Sequence, residues 1–161
     1  MTKVGDRLPE MTFRVKGDDG VARQVPSHEI FGGQKVVLVG VPGAFTSTCH
    51  NAHIPAFVAN VDQIKSRGVD RIAVMAVNDH HVMKAWAQAL GADGKIDFLA
   101  DGSAVATRAL DVVNDLTASG MGIRCKRFVM IVEDGVVKAF NIEPEGGKVT
   151  TTSAATVLSL L

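Results

Sequence analysis

Two short runs, residues 35–41 (KVVLVGV) and 71–77 (RIAVMAV), constrain the fold more than anything else in the chain. Each is β-branched and apolar at nearly every position, which suits a strand buried on both faces. Between them Ile54, Phe57, Val58, Val61 and Ile64 recur at helical spacing, and Gly68 closes the pattern as a helix-terminating glycine would. Strand, helix, strand implies a parallel pair of strands, because the crossover returns the chain to the same end of the sheet. Pro55 lies inside the helical periodicity, so a helix that starts near Cys49 should kink there.

The alternation continues downstream. Asn78 or Asp79 can cap a helix whose apolar side includes Val82, Trp86 and Leu90, and Gly91 closes it. Residues 98–100 form a short strand candidate, Ser103 can cap a helix running through Leu110, and residues 116–123 are too rich in Gly, Ser and Thr to assign. Residues 128–132 and 136–142 flank Glu133-Asp134-Gly135, a hairpin signal; residues 11–15 and 21–25 flank Gly17-Asp18-Asp19-Gly20, another. Residues 153–161 are expected to form a closing helix. The sum is a mixed α/β sheet with helices on both faces and an N-terminal β-hairpin. With 161 residues, 47% of them hydrophobic, one domain spanning residues 1–161 is the expectation.

The 17 basic and 17 acidic residues cancel, so nothing in the balance indicates a nucleic-acid surface or a membrane-attracted patch. The N-terminal MTKVGDRLPE has no apolar stretch to act as a signal, and no run approaches the roughly 18 apolar residues of a membrane span. A soluble cytoplasmic protein is expected. Cys49 and Cys125 could form one disulfide, but a chain with this much core needs no staple, and reduced, chemically active thiols are the better expectation.

Chemistry is expected at Pro42-Gly43-Ala44-Phe45-Thr46-Ser47-Thr48-Cys49, where a buried strand ends and a helix begins. A cysteine in the first turn of a helix meets unpaired backbone N–H groups and the positive end of the dipole, which favour the thiolate, the reactive form. Thr46 can cap the turn and donate towards the sulfur or a bound oxygen, and the ring of Pro42 can shield the site from water. The alternative is that Cys49 is a packed core thiol, since free cysteine is commonly buried. Arg127 opens the strand RFVMIV and is either solvated at the sheet edge or aimed into the site, where its fork of donors would hold a bound oxygen. Cys125 precedes it by two; if the strand begins that early, both side chains leave the same face towards Cys49.

Metal binding is the rival chemistry, because Cys49, His50 and His53 cluster and His80-His81 form a second pair. Against it, adjacent residues such as His80 and His81 should point to different sides, and no C-x-x-C or H-E-x-x-H spacing occurs. His28 is isolated and needs no special role.

Pro42, Thr46 and Cys49 together reproduce P-x-x-x-T-x-x-C, and the chain here resembles the peroxiredoxins. GVPGAFTSTC with His53-Ile54-Pro55 is similar to their type II branch, as are Val77-Asn78-Asp79 with Val82-Met83 and Ala85-Trp86, and Lys126-Arg127-Phe128 with Asp134-Gly135. The resemblance covers most of the chain. It implies a thioredoxin-like fold, a homodimer, and no metal or organic cofactor. It also implies that Cys49 is the peroxidatic cysteine, Thr46 the hydroxyl that orients sulfur and peroxide, Pro42 the shield and Arg127 the group that polarises the substrate.

Three positions depart from the branch. Ser47 stands where a second proline is usual, His80-His81 where the second position is usually Phe, and Val74 and Thr151 where some relatives carry a resolving cysteine. The resemblance thus implies a one-cysteine thiol peroxidase acting on hydrogen peroxide or alkyl hydroperoxides. Its Cys49 sulfenic acid would be recycled by glutathione with glutaredoxin, or by thioredoxin. The competing expectations are a redox-sensing or chaperone-like binding protein of the same fold, and a metal-binding protein.

Overall fold

A computed structural model describes residues 2–161. In chain order the elements are β1 (Thr12–Lys16), β2 (Ala22–Pro26), α1 (Ser27–Phe31), β3 (Lys35–Gly40), a π-helical turn (Cys49–His53), α2 (Ile54–Ala59), α3 (Val61–Lys65) and β4 (Arg71–Ala76). There follow α4 (His80–Ala89), β5 (Asp97–Ala100), α5 (Val105–Ala109), β6 (Val113–Leu116), β7 (Gly122–Cys125), β8 (Phe128–Glu133), β9 (Val136–Ile142) and α6 (Ala154–Leu160).

Seven strands form one sheet in the order β2-β1-β5-β4-β3-β8-β9. β3, β4 and β5 run parallel, and the remaining pairs are antiparallel. The central strands are buried on both faces, as their unbroken apolar runs require: Val37, Val39, Ile72 and Val74 face one core, Val36, Leu38, Ala73 and Met75 the other. α2, α3, α4 and α6 cover the first face through Phe57, Ile64, Trp86 and Val157; α1 and α5 cover the second through Ile30 and Ala106. The N-terminal hairpin joins this sheet where Arg14 of β1 pairs with Ala100 of β5.

Local chemistry explains where expectation and structure part. Pro55 has no N–H to give residue 51, and its ring crowds that carbonyl. The chain answers with a wide turn over Cys49–His53, in which Ile54 N–H reaches the Cys49 carbonyl, and not with a kink at Pro55 itself. A second break falls at Asn60, whose side-chain amide donates to Ala56 O at 2.7 Å and divides the periodic stretch into α2 and α3. Ser103 caps nothing: the Asp101 carboxylate accepts from Ala106 N at 3.0 Å and Thr107 N at 2.8 Å, being both the stronger acceptor and held by β5. Residues 116–123, unassigned from sequence, complete a separate β6–β7 hairpin through a 3-10 turn at Thr117–Ser119. The Asp134-Gly135 turn takes positive φ at both positions (46° and 77°), as a two-residue loop of that hand requires.

Candidate active site

Gly40, the last residue of β3, has no side chain for a steric reason. A Cβ there would stand 2.1 Å from Cε1 of Phe128, the first residue of the antiparallel neighbour β8. The bare backbone lets the two strand ends close up, bringing the Pro42 turn beside Arg127. That turn is then tied from several sides. Asn78 Oδ1 accepts from Ala44 N at 2.9 Å, and Arg124 Nη1 donates to Pro42 O at 3.3 Å while its Nε holds Met121 O at 2.9 Å. Phe45 sits in the left-handed region (φ 61°), a conformation the surrounding bonds must impose on a residue with a side chain. Of the two cap candidates after β4, Asp79 therefore caps α4 through Val82 N, and Asn78 serves the turn.

Cys49 lies in the first helical turn, fully buried. Arg127 is 3% exposed, so it is not solvated at the sheet edge, and its Nη2 donates to Cys49 Sγ at 3.1 Å. The guanidinium sets a full positive charge and a donor beside the sulfur. Two more of its five donors are committed: Nε to Gly146 O at 2.9 Å, and Nη1 to His53 Nδ1 at 2.8 Å. His53 in turn meets Thr152 O through Nε2 at 2.7 Å. Arginine only donates and a carbonyl only accepts, so both bonds are satisfied by the neutral imidazole with its proton on Nε2. Burial, with the adjacent Arg127 charge adding to it against the Thr152 carbonyl, lowers the His53 pKa to about 4.

Thr46 behaves differently from expectation. Its hydroxyl donates to Gly43 O at 2.7 Å, caps no helix and gives no proton to the sulfur, because the carbonyl of its own turn is the nearer acceptor. What it offers the site is an oxygen with free lone pairs. Pro42, Thr46, Thr48 and Arg127 line a cavity of about 390 Å³, walled on one side by Leu116 and Met121 of the β6–β7 hairpin. A larger cavity of about 480 Å³ between Arg14, His80 and Val105 contains no thiol, and the Asp101 carboxylate on its wall is spent on capping α5.

Cys125 is not on the strand of Arg127. It ends β7, while β8 begins at Phe128, and its side chain packs in the core on the opposite face of the sheet from Cys49. Burial pushes its thiol pKa well above the ordinary value, and Sγ donates to Lys126 O. The histidines read as a metal cluster are otherwise engaged: His50 Nδ1 accepts from Trp86 Nε1 at 3.0 Å and stacks on Phe45, and His53 serves Arg127. His80 and His81 do not diverge; their rings lie 4.2 Å apart, because no preceding helical turn restricts side chains at the start of α4. Among the described residues no group of three or more His, Cys, Asp or Glu is placed to hold a metal ion.

The Redoxin family model matches residues 3–158. Peroxiredoxin-2C of Oryza sativa subsp. japonica is 43% identical over 158 residues, covering 98% of this chain and 97% of that protein. The chain belongs to the peroxiredoxins. Among solved structures, reduced Prx3 of Vibrio vulnificus in complex with H2O2 superposes with a TM-score of 0.92 at 41% identity, over 99% of this chain and 95% of that one. Oxidised Prx3 of the same organism gives 0.90 at 43% identity, over the whole of both chains. This peroxiredoxin, of the type II branch, has the thioredoxin-like fold, and it is a thiol-dependent peroxidase.

Three further residues reach the site in roles the sequence does not assign them. His53, a metal-ligand candidate in sequence, follows Cys49 by four, one helical turn, and that spacing signals a shared face. Asn78, a helix-cap candidate in sequence, ties the Pro42 turn from beyond the end of β4, and Arg124, which carries no signal, arrives from a separate hairpin.

Proposed function

We propose that Cys49 is the peroxidatic thiol, and the observation that carries the reading is Arg127 Nη2 at 3.1 Å from its sulfur, beside a cavity large enough for a hydroperoxide. The thiolate attacks the terminal peroxide oxygen; the S–O bond forms, the O–O bond breaks, and Cys49 becomes a sulfenic acid while the departing oxygen takes up the proton the thiol gave up on ionising and leaves as water or an alcohol. Arg127 stabilises charge on the departing oxygen, Thr46 accepts a hydrogen bond from the O–H of the bound peroxide, and Pro42 excludes water. The apolar side chains of Leu116 and Met121 on the cavity wall suit the tail of an alkyl hydroperoxide as well as hydrogen peroxide.

Residues 1–161 act as one domain, without metal or organic cofactor, as a cytoplasmic homodimer. Two free thiols favour a reducing compartment. No helix among the described residues is long and apolar enough to cross a membrane. The reductant is glutathione with glutaredoxin, with thioredoxin as the second choice, because neither Val74 nor Thr151 supplies a resolving thiol and Cys125 is across the sheet. Peroxide consumption with each reductant system supplied separately tests this. Turnover is expected with glutathione and glutaredoxin, and none in Cys49→Ser. Wild-type turnover in that variant would sink the reading, and oxidation without turnover under either system would make the protein a sensor.

A further inference from the structure

The segment from Glu143 to Thr152 contains no helix or strand, yet it meets the proposed site at three points. Gly146 O accepts from Arg127 Nε at 2.9 Å, Gly147 O from Thr48 Oγ1 at 2.8 Å, and Thr152 O from His53 Nε2 at 2.7 Å. The direction of Arg127 follows from these bonds. A guanidinium is planar and rigid, so holding Nε at Gly146 and Nη1 at His53 leaves Nη2 one place to point, and His53 is itself held by Thr152. Both anchors of the arginine therefore come from, or are held by, this loop.

An irregular loop with exposed Pro144, Gly146 and Gly147 cannot place three carbonyls unaided. Glu143, directly after β9, is 6% exposed and draws the loop onto itself. Its Oε1 accepts from Thr150 N at 2.9 Å, from the Thr150 hydroxyl and from Thr151 N at 3.4 Å, and its Oε2 accepts from the Thr152 hydroxyl at 2.6 Å. Its backbone N–H also donates to Arg127 O at 2.9 Å, joining the start of the loop to the arginine's own backbone immediately before β8. Burial by itself would raise the carboxyl, but these donors outweigh it and hold the group ionised, down to about 2. A charged acceptor gathering four donors is a strong anchor for a short segment.

We propose that Glu143 is a positioning residue for the peroxidase reaction: by closing the 143–152 loop on itself it aims Arg127, directly and through His53, at the Cys49 sulfur. The proposal rests on the reading of Cys49 and Arg127 given above. It implies that Glu143 matters only while Arg127 is there to be aimed.

The test is a double-mutant cycle on the second-order rate constant for peroxide, with wild type, Glu143→Leu, Arg127→Lys and the double variant. Glu143→Leu is expected to slow the wild type about tenfold, as misaim of a catalytic group does, and the Arg127→Lys protein less than about twofold. Glu143→Gln, which keeps Oε1 for Thr150 and Thr151, should recover most of the rate. If Glu143→Leu does not fold, Thr152→Val removes one donor to the carboxylate while keeping the carbonyl, and the same dependence on Arg127 is expected at smaller size. Equal slowing in both arginine backgrounds would make Glu143 a general stabiliser and overturn the proposal, as would wild-type rates in every Glu143 and Thr152 variant. A wild-type rate in Arg127→Lys, by contrast, would overturn the site reading itself.

Discussion

His53 shows how one buried side chain ties the site to pH. In the fold its pKa is about 4, against 6.5 for the free group, because burial and the facing Arg127 N–H both oppose protonation. A base with a lowered pKa makes the unfolded chain the better proton binder between those two values, so stability falls as pH drops from 6.5 to 4. The full shift corresponds to at most about 3 kcal/mol. Glu143, at about 2 against 4.5, adds a second loss from pH 4.5 down to 2, since its anionic form is the one the loop holds. Urea midpoints are therefore expected to be level from about pH 7 to the start of the ordinary thiol range, above which the buried Cys125 lowers them, and to decline in two stages below 6.5. His53→Gln should remove the first stage and leave the second; an unchanged decline between 6.5 and 4 would show that His53 is not its source. Sequence makes His53 a candidate metal ligand, and only its two hydrogen-bond partners reveal a neutral acceptor for an arginine.

Elements were legible wherever their period was clean. The buried runs of β3 and β4, the hairpin turns at Gly17–Gly20 and Asp134-Gly135, and the Ser153 cap of α6 all follow from local chemistry. The breaks were less legible, because they depend on competition between acceptors that sequence does not rank: Asp101 displaced Ser103, and Asn60 interrupted a good apolar stripe. Gly40 is the junction at which element packing reaches chemistry. Gly40→Ala puts a methyl within 2.1–2.7 Å of three atoms of the buried Phe128 ring, and overpacking of this kind costs roughly 1–3 kcal/mol. Since Phe128 adjoins Arg127, the expected result is a lower urea midpoint together with a slower reaction with peroxide. A loss of stability at an unchanged rate would show that the ring moves without carrying the arginine.

Across the whole molecule the sheet separates the two thiols. Cys49 belongs to the core under α2 and α4, and Cys125 to the core under α1 and α5. Cys125→Ser is accordingly expected to keep peroxidase activity with glutathione and glutaredoxin. Mass spectrometry after one equivalent of peroxide, without reductant, should find a Cys49 sulfenic acid; a stoichiometric Cys49–Cys125 disulfide would show that the proposed one-cysteine cycle is wrong. That separation also marks the limit of reading by sequence. Counting back from Arg127 suggested a shared face for Cys125, but the strand starts only at Phe128, and a two-residue connection turns the cysteine to the other side. Sequence alone determined the parallel β3-β4 unit, the helical stretches after β3 and β4, the β1-β2 and β8-β9 hairpins and the position of Cys49 at a strand-to-helix junction, because apolar period and turn residues act over a few neighbours. Tertiary structure alone decided that Arg127 points at the sulfur and that a loop pinned by Glu143 holds the arginine. The contacts of Arg127 to Cys49 and Gly146 join residues 78 and 19 positions apart, and they exist only after the sheet has closed and removed water from the groups that make them.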